Sequence, residues 1–164
     1  MRGVQRKGRR LAGARALVVG CGGVGCAIAA SLAGAGIAAI GLFDAIAASA
    51  ESLGERLRRH YPALEIGTGS NDPASYDIVV NATPMGMNDG DPLPIDMSRV
   101  APSTFVGEVV MKQQMTAFLR AAQARGCPFQ VGSDMLFEQI PAYLEFFGFP
   151  TTTPENLRSV AKLT

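Results

Sequence analysis

The sequence lacks an excess of charge of either sign and lacks any long apolar run. Its 164 residues carry 15 Lys and Arg against 14 Asp and Glu, a formal net charge of +1. Without a charge excess, no overall electrostatic field draws the chain to nucleic acid. No stretch approaches the roughly 18 consecutive apolar residues of a membrane span, so none is predicted. The length suits a single domain with a substantial core.

Cysteines are also few, and the basic N-terminus lacks the features of an export signal. Cys21, Cys26 and Cys127 are odd in number and lack the spacing of metal ligands. They predict structural thiols in a reducing cytoplasm, without disulfides or a metal centre. The first fifteen residues carry six Lys and Arg, yet no apolar core and cleavage pattern follow. We interpret them as the end of a solvated helix, near residues 4–7, and a turn, in preference to a nucleic-acid arm.

A glycine-rich turn is the strongest local signal in the chain. The apolar run Leu17-Val18-Val19 breaks at Gly20, and an Ala-rich helical stretch follows the glycines. The spacing of Gly20, Gly22 and Gly25 is G-x-G-x-x-G, in which the glycines make the turn, admit a pyrophosphate and allow close helix packing. The N–H groups at the helix start then face the phosphates. The predicted pyrophosphate site comprises Gly20, Cys21, Gly22, Gly23, Val24 and Gly25.

A carboxylate, Asp44, ends the next apolar run, over residues 37–43. At that place in a dinucleotide-binding unit a carboxylate accepts the two ribose hydroxyls of adenosine and repels a 2′-phosphate. The sequence therefore predicts NAD as cofactor in preference to NADP.

Apolar runs alternate with amphipathic stretches along the rest of the chain. Strands are predicted near residues 15–19, 37–43, 64–67, 76–83, 104–111 and 128–131, and helices near 23–35, 49–60, 115–125 and 135–147. A last helix begins at Pro154 with Thr153 as its N-cap. This alternation predicts an α/β fold with a Rossmann-type, doubly wound parallel sheet of about six strands in three α/β/α layers. Residues 1–164 are predicted to form one dinucleotide-binding domain.

Four motifs in this order resemble the C-terminal, cofactor-binding half of the shikimate/quinate dehydrogenase family. They are the loop at residues 20–25, Asn81-Ala82-Thr83-Pro84-Met85-Gly86-Met87, Val106-Gly107-Glu108-Val109-Val110, and Gly132-Ser133-Asp134-Met135-Leu136-Phe137-Glu138-Gln139. The resemblance runs from about residue 3 to the end. It implies an oxidoreductase that moves a hydride between nicotinamide and a ring hydroxyl of shikimate, quinate or a similar acid.

The resemblance also implies roles for individual residues. Asn81, Ala82 and Thr83 would lie near the pyrophosphate and nicotinamide ribose, and Gly132 would offer its backbone to the nicotinamide carboxamide. Met135 would line the nicotinamide pocket and Gln139 would reach the hydroxyls of the substrate. The implied cofactor contacts further include Pro84, Met85 and Val109.

Three departures from the family pattern limit these expectations. NADP-dependent members commonly carry Asn-Arg-Thr where this chain has Asp44-Ala45-Ile46, which agrees with NAD. Glu108 stands where many members have Asp, and Met111 stands where many have a substrate-contacting Tyr; because Met111 cannot donate a hydrogen bond, the substrate can differ from shikimate. The third departure is the lack of any counterpart of the N-terminal domain that carries the catalytic Lys and Asp of the family.

No catalytic residue is therefore predicted in this chain. Hydride transfer from an alcohol needs a base for the hydroxyl proton; His60 lies at the polar end of a predicted helix, and Lys112 and Lys162 lack a recognisable carboxylate partner. The chain is predicted to bind the cofactor and to be incomplete as an enzyme, acting on its small-molecule substrate only when joined to a substrate domain. The apolar helix over residues 135–147 predicts an exposed patch through which copies self-associate.

Two other functions remain open from the sequence. The chain could be a stand-alone module that senses NAD without chemistry. The glycine loop followed by a strand ending in Asp44 also resembles the adenylating fold that activates ubiquitin-like proteins. The downstream sequence lacks the arginines and paired cysteines expected of that fold.

Overall fold

The computed structural model describes residue 8 and residues 10–161. The strands are β1 (Arg15–Val19), β2 (Ala39–Phe43), β3 (Glu65–Thr68), β4 (Ile78–Asn81), β5 (Phe105–Glu108) and β6 (Phe129–Gln130). The α-helices are α1 (Gly23–Gly34), α2 (Ala47–His60), α3 (Ala117–Ala124), α4 (Gly132–Phe146) and α5 (Pro154–Val160). A single 3₁₀ turn, Met97–Arg99, precedes β5. The expected helix end near residues 4–7 lies outside the described residues.

The six strands form one parallel sheet in the order β3-β2-β1-β4-β5-β6. The chain moves outward from β1 to β3, then returns to the other side of β1 and continues outward to β6. In register, Val19 pairs with Phe43 on one side and with Asn81 on the other. The carboxyl ends of β1, β2 and β4 therefore meet at one edge, where the strand order reverses and where such folds bind ligands. The predicted doubly wound α/β fold is confirmed.

Two hydrophobic cores cover the two faces of the sheet. Alternate strand residues such as Val18, Ile40 and Val80 pack with apolar side chains of α1 and α2. Leu17 and Val79 point to the opposite face and pack with apolar side chains of α3 and the 3₁₀ turn. Burial on both faces explains why these strands are continuously apolar rather than alternating.

Several helices and strands begin or end at other residues than predicted. Helix α4 begins at Gly132 rather than at residue 135, and its first turn lies directly against the segment after β5, where a Cβ on Gly132 would overlap the carbonyl oxygen of Val110. Helix α2 begins at Ala47 instead of Ser49, and β4 covers only residues 78–81 of the predicted 76–83. The predicted Thr153 N-cap of α5 is confirmed, since its hydroxyl accepts a hydrogen bond from the N–H of Asn156 at 3.2 Å.

The C-terminal helices are tied together by Arg158 of α5. Its guanidinium lies 3.0 Å from a carboxylate oxygen of Asp134 and stacks on the ring of Phe137, both on α4. Beyond this contact α4 and the segments that follow it expose several large apolar side chains. Phe146 is 81% exposed, and Tyr143, Phe147, Phe149 and Val160 are also exposed.

Candidate functional site

The glycine loop connects β1 to α1 in a shape that only glycine permits at two positions. Gly20 has a φ of +99°, and a Cβ there would lie 2.7 Å from the carbonyl carbon of Ala82. A Cβ on Gly25 would overlap the carbonyl oxygen of Gly20. These two glycines therefore allow the loop to lie close to the turn after β4 and to the start of its own helix.

The tip of the same loop is open. Nothing lies within 4 Å of the Cβ positions of Gly22 and Gly23. Helix α1 has no side-chain cap and no acidic residue in its first turn. Its first N–H groups are consequently available to an anion, and a backbone without side chains lets that anion approach closely. The loop fits a pyrophosphate.

Asp44 lies directly beside this loop, and its predicted contact with ribose stays a prediction. One carboxylate oxygen accepts a hydrogen bond from the N–H of Cys21 at 2.7 Å, and the other accepts from the N–H of Ile46 at 2.9 Å. Burial, together with the charge of Asp44, raises the pKa of the Cys21 thiol to about 11. The half-buried carboxylate retains further lone pairs for ribose hydroxyls, and the segment from Ala45 to Ser49 carries no cation.

Asn81, the last residue of β4, is wholly buried and organises the turn that follows it. Its amide nitrogen donates to the carbonyl of Met85 at 3.0 Å, and its amide oxygen accepts from the hydroxyl of Thr83 at 2.6 Å and from the N–H of Thr83 at 3.1 Å. The structure gives this side chain a positioning role. Direct contact between Asn81 and a cofactor stays a prediction.

Glu108, the last residue of β5, is 3% exposed. Its carboxylate accepts hydrogen bonds from Asn81, at 2.9 Å, and from the hydroxyl of Thr116. None of the ion pairs among the described residues includes it. Burial raises the pKa of Glu108, while the hydrogen bonds from Thr116 and Asn81 oppose that shift.

A cleft of about 320 Å³ lies between α1 and α4 over β4, β5 and β6. It brings together four residues that the sequence assigned to the site: Val24, Val109, Met135 and Gln139. Its lining also includes Gly107, Glu108, Gln130, Glu138 and several apolar side chains. A site for a flat, largely apolar ring with a few polar groups has this composition.

Gln130 is a residue of this cleft that the sequence analysis missed. It is 9% exposed, and its amide oxygen is buried without a hydrogen-bond partner in the described part of the chain. The signal was a polar residue at the carboxyl end of an otherwise apolar strand, the same signal that singled out Asn81. Because β6 is only two residues long, that signal is weak.

Other predicted site residues lie apart from the cleft. Pro84 and Met85 are exposed in the loop after β4, and Gly132 is buried in the first turn of α4. His60 is exposed at the end of α2, and Lys112 lies 3.3 Å from the side-chain oxygen of Asn88. Lys162 lies outside the described residues.

Two further observations concern metals and membranes. Over residues 10–161 no three His, Cys, Asp or Glu side chains come together as a metal site would require. Within the same range no helix has both the length and the apolar character to cross a bilayer.

Comparison with known proteins gives two kinds of similarity. The model of the ThiF family matches residues 3–68, which reach only the end of β3. A shikimate dehydrogenase (NADP(+)) of Paracoccus denitrificans is 33% identical over 144 residues, covering 87% of this chain and 51% of that protein. The chain thus spans about half the length of the curated relatives it matches.

Solved structures of a dehydrogenase and a reductase are similar to this chain over nearly its whole length. Quinate dehydrogenase of Corynebacterium glutamicum, in complex with NAD, superposes with a TM-score of 0.83 and 29% identity, covering 96% of this chain and 58% of that one. The ligand-free 5-ketofructose reductase of a Gluconobacter species has the same TM-score, 28% identity and coverages of 96% and 60%. The ThiF match stops at β3, whereas the similarity to shikimate and quinate dehydrogenases continues through the cleft and extends over about half the length of those enzymes.

Proposed function

We propose that this chain is the dinucleotide-binding part of an oxidoreductase that transfers a hydride between NAD and a ring hydroxyl of a cyclic hydroxy acid such as shikimate or quinate. The observation that carries the proposal is the carboxylate of Asp44 held 2.7 Å from the N–H of Cys21 in an open glycine loop. A phosphate-binding helix end and a ribose-binding carboxylate are thereby adjacent at the carboxyl edge of the sheet.

The residues of this chain would have distinct roles in binding the cofactor. The loop residues Gly22, Gly23 and Val24 bind the pyrophosphate through backbone N–H groups. Asn81 keeps the turn at Ala82 and Thr83 in place against Gly20, and Val109 and Met135 contact the nicotinamide from the cleft. Bound there, the dinucleotide supplies the hydride acceptor. Pro84, Met85 and Gly132 complete the proposed cofactor contacts through the loop after β4 and the first turn of α4.

The preference for NAD rests on Asp44. A 2′-phosphate would meet this carboxylate, with no cation on the segment from Ala45 to Ser49 to offset the repulsion. The names of the curated relatives favour NADP, whereas the quinate dehydrogenase structure contains NAD. Like charges at close range disfavour binding, and the local repulsion at Asp44 therefore favours NAD.

Substrate would enter beside Gln139, whose exposed amide lines the cleft and can both donate and accept hydrogen bonds to ring hydroxyls. Hydride transfer also needs a base that accepts the proton of the substrate hydroxyl. His60 and Lys112 both lie away from the cleft, so we propose that the acid–base pair comes from a part of the enzyme that these described residues do not include.

Titration with NADH, NADPH and Mg-ATP tests the proposal. We expect NADH to bind with at least about tenfold higher affinity than NADPH, measured by the change in nicotinamide fluorescence, and Mg-ATP to bind weakly. Equal affinities for NADH and NADPH would remove the argument from Asp44. Failure of both dinucleotides to bind would reject the proposed function.

A second candidate, adenylation of a carboxylate by Mg-ATP, has one observation in its favour. The ThiF model covers the glycine loop and Asp44. The match stops before β4 and therefore does not include the turn at Asn81 or the part of the cleft formed by α4. Tight binding of Mg-ATP with no binding of NADH would favour it.

A further inference from the structure

Gln130 has a buried amide group to which the proposed contacts of the dinucleotide assign no task. It is the last residue of β6, is 9% exposed, and lines the cleft between α1 and α4. Its amide oxygen has no hydrogen-bond partner among residues 10–161. Because buried polar atoms in native proteins almost always have a partner, this oxygen is suited to a donor that a bound ligand supplies.

The register of the sheet places Gln130 on the floor of the cleft. Gln130 pairs with Gly107, which pairs in turn with Val80, so the three residues lie side by side across β6, β5 and β4. Paired residues point to the same face of a sheet, and Val80 belongs to the core on the face covered by α1 and α2. Phe129, the neighbour of Gln130 along β6, packs with the core on the opposite face. The Gln130 side chain therefore points to the face on which α1 and α4 enclose the cleft.

The cleft has space for a ligand beside Gln130. A Cβ built on Gly107 would meet only ordinary van der Waals contacts, the nearest at 3.6 Å from a methyl group of Val80. The packing of the chain itself therefore does not require glycine here, and glycine within a strand often marks the close approach of a ligand. The rest of the lining is mainly apolar and includes Ile28 and Met135. A ligand that fits has a flat apolar ring with a hydrogen-bond donor attached to it.

The nicotinamide of the proposed cofactor has this composition. Its carboxamide carries an NH2 group that donates hydrogen bonds and an oxygen that accepts them, and the amide of Gln130 is complementary to both. Val109 and Met135, which are proposed to contact the ring, line the same cleft. Gly132, a further proposed cofactor contact, follows Gln130 by two residues.

We propose that Gln130 recognises the carboxamide of the nicotinamide, with its amide oxygen accepting a hydrogen bond from the carboxamide NH2 group. This inference rests on the proposed function, since it needs the ring to lie in the cleft. Because the carboxamide is attached to one side of the ring, such a hydrogen bond restrains rotation of the ring about its bond to the ribose. Gln130 thereby selects a dinucleotide whose ring carries a primary amide.

The test compares NAD with 3-acetylpyridine adenine dinucleotide, in which a methyl ketone replaces the carboxamide. The analogue keeps the ring and a carbonyl oxygen but lacks the N–H donors. Isothermal titration calorimetry gives both dissociation constants, and we expect the wild type to bind the analogue about tenfold more weakly than NAD. Gln130→Met has a side chain of similar length without an amide oxygen, and it should lower this preference for NAD at least about fivefold.

Two controls distinguish recognition of the carboxamide from a structural role. Gln123→Met makes the same change at an exposed position of α3, on the opposite face of the sheet, and should leave the preference for NAD unchanged. Because Gln130→Met removes a buried oxygen that has no partner among residues 10–161, the unliganded variant should unfold at the wild-type temperature or above it. A lower unfolding temperature would show that the amide has a structural partner, and would overturn the inference.

The outcomes also separate this inference from the function on which it rests. If the wild type binds NAD and the analogue equally well, the inference is overturned without any variant, and the proposed function stands. A preference for NAD that Gln130→Met retains would likewise overturn it, because another group then accepts the hydrogen bond. If the wild type binds neither dinucleotide, the proposed function fails together with the inference.

Discussion

The carboxylate of Asp44 accepts a hydrogen bond from the backbone N–H of Cys21 at 2.7 Å, and so joins the end of β2 to the glycine loop that follows β1. Residues 23 positions apart thereby form one unit at the strand edge. The contact gives Asp44 a structural task besides any contact with ribose, because Cys21 is buried and its N–H would otherwise lack an acceptor.

Replacing Asp44 should therefore have two independent effects. It should lower the free energy of unfolding, and it should weaken the discrimination against NADPH. Asp44→Ala leaves the N–H of Cys21 unsatisfied and should lower the free energy of unfolding by about 1–2 kcal/mol. Asp44→Asn keeps an acceptor oxygen and should cost less, yet it loses the charge that repels a 2′-phosphate. Urea denaturation measures the first effect and titration with NADPH the second. An Asp44→Asn variant that still rejects NADPH as strongly as the wild type would contradict this account.

The glycines of the loop provide a matched pair of substitutions. Gly25→Ala places a Cβ on the carbonyl oxygen of Gly20 and should destabilise the protein by about 2–3 kcal/mol. Gly22→Ala meets nothing within 4 Å and lies at a φ of −72°, so the fold should retain its stability. Its methyl group would stand where the pyrophosphate approaches, and NADH affinity should fall at least about tenfold.

Thermal unfolding and NADH titration on both variants check this pair. The account requires Gly22→Ala to unfold at the same temperature as the wild type while binding NADH more weakly. If Gly22→Ala binds NADH as well as the wild type does, the pyrophosphate does not lie at this loop.

The free energy of unfolding should depend on pH through the titration of Glu108. Burial raises the pKa of Glu108 in the folded state above its value in the unfolded chain. Its stabilising contribution is therefore fully present below the unfolded pKa and is lost as pH rises through the folded pKa. The free energy of unfolding of the wild type, measured relative to Glu108→Gln, should decrease from acidic to neutral pH. Urea denaturation of both proteins at a series of pH values measures this, and a difference that stays constant would argue against a raised pKa.

The exposed apolar side chains around the end of α4 should promote self-association. Phe146 is 81% and Phe147 66% exposed, and Tyr143 and Phe149 lie close by in sequence. Patches of this kind commonly mark contact surfaces. Sedimentation velocity should show an average mass that rises with concentration, and Phe146→Ser with Phe147→Ser should reduce the rise. A wild type that stays monomeric at high concentration would remove the basis for this prediction.

Much of the fold was predictable because its signals are local. Buried parallel strands are apolar throughout, and the G-x-G-x-x-G spacing from Gly20 to Gly25 has few structural uses. The position of Asp44 at the same sheet edge as the loop is consistent with the rule that carboxyl ends of parallel strands share one edge, whereas its hydrogen bond to Cys21 required the structure. Local sequence and a general rule of topology were sufficient for these features.

The remaining features depend on contacts between distant segments. The start of α4 at Gly132 packs against the carbonyl of Val110, a close approach that no local pattern reveals. The buried bridge from Thr116 through Glu108 to Asn81 depends on the register of β4 with β5, where Asn81 pairs with Glu108. Sequence alone showed Glu108 only as a departure from the family pattern, and its burial away from charged partners required the fold.

Hydrogen exchange with and without NADH tests the central claim most directly, because it reports where the dinucleotide binds. We expect NADH to slow exchange of the backbone amides of Gly22, Gly23 and Val24, at the open start of α1, and of residues around Val109 and Met135 in the cleft. Amides on the exposed face of α2 serve as the internal reference. Binding of NADH with protection confined to other parts of the chain, or no change at the glycine loop, would contradict the account.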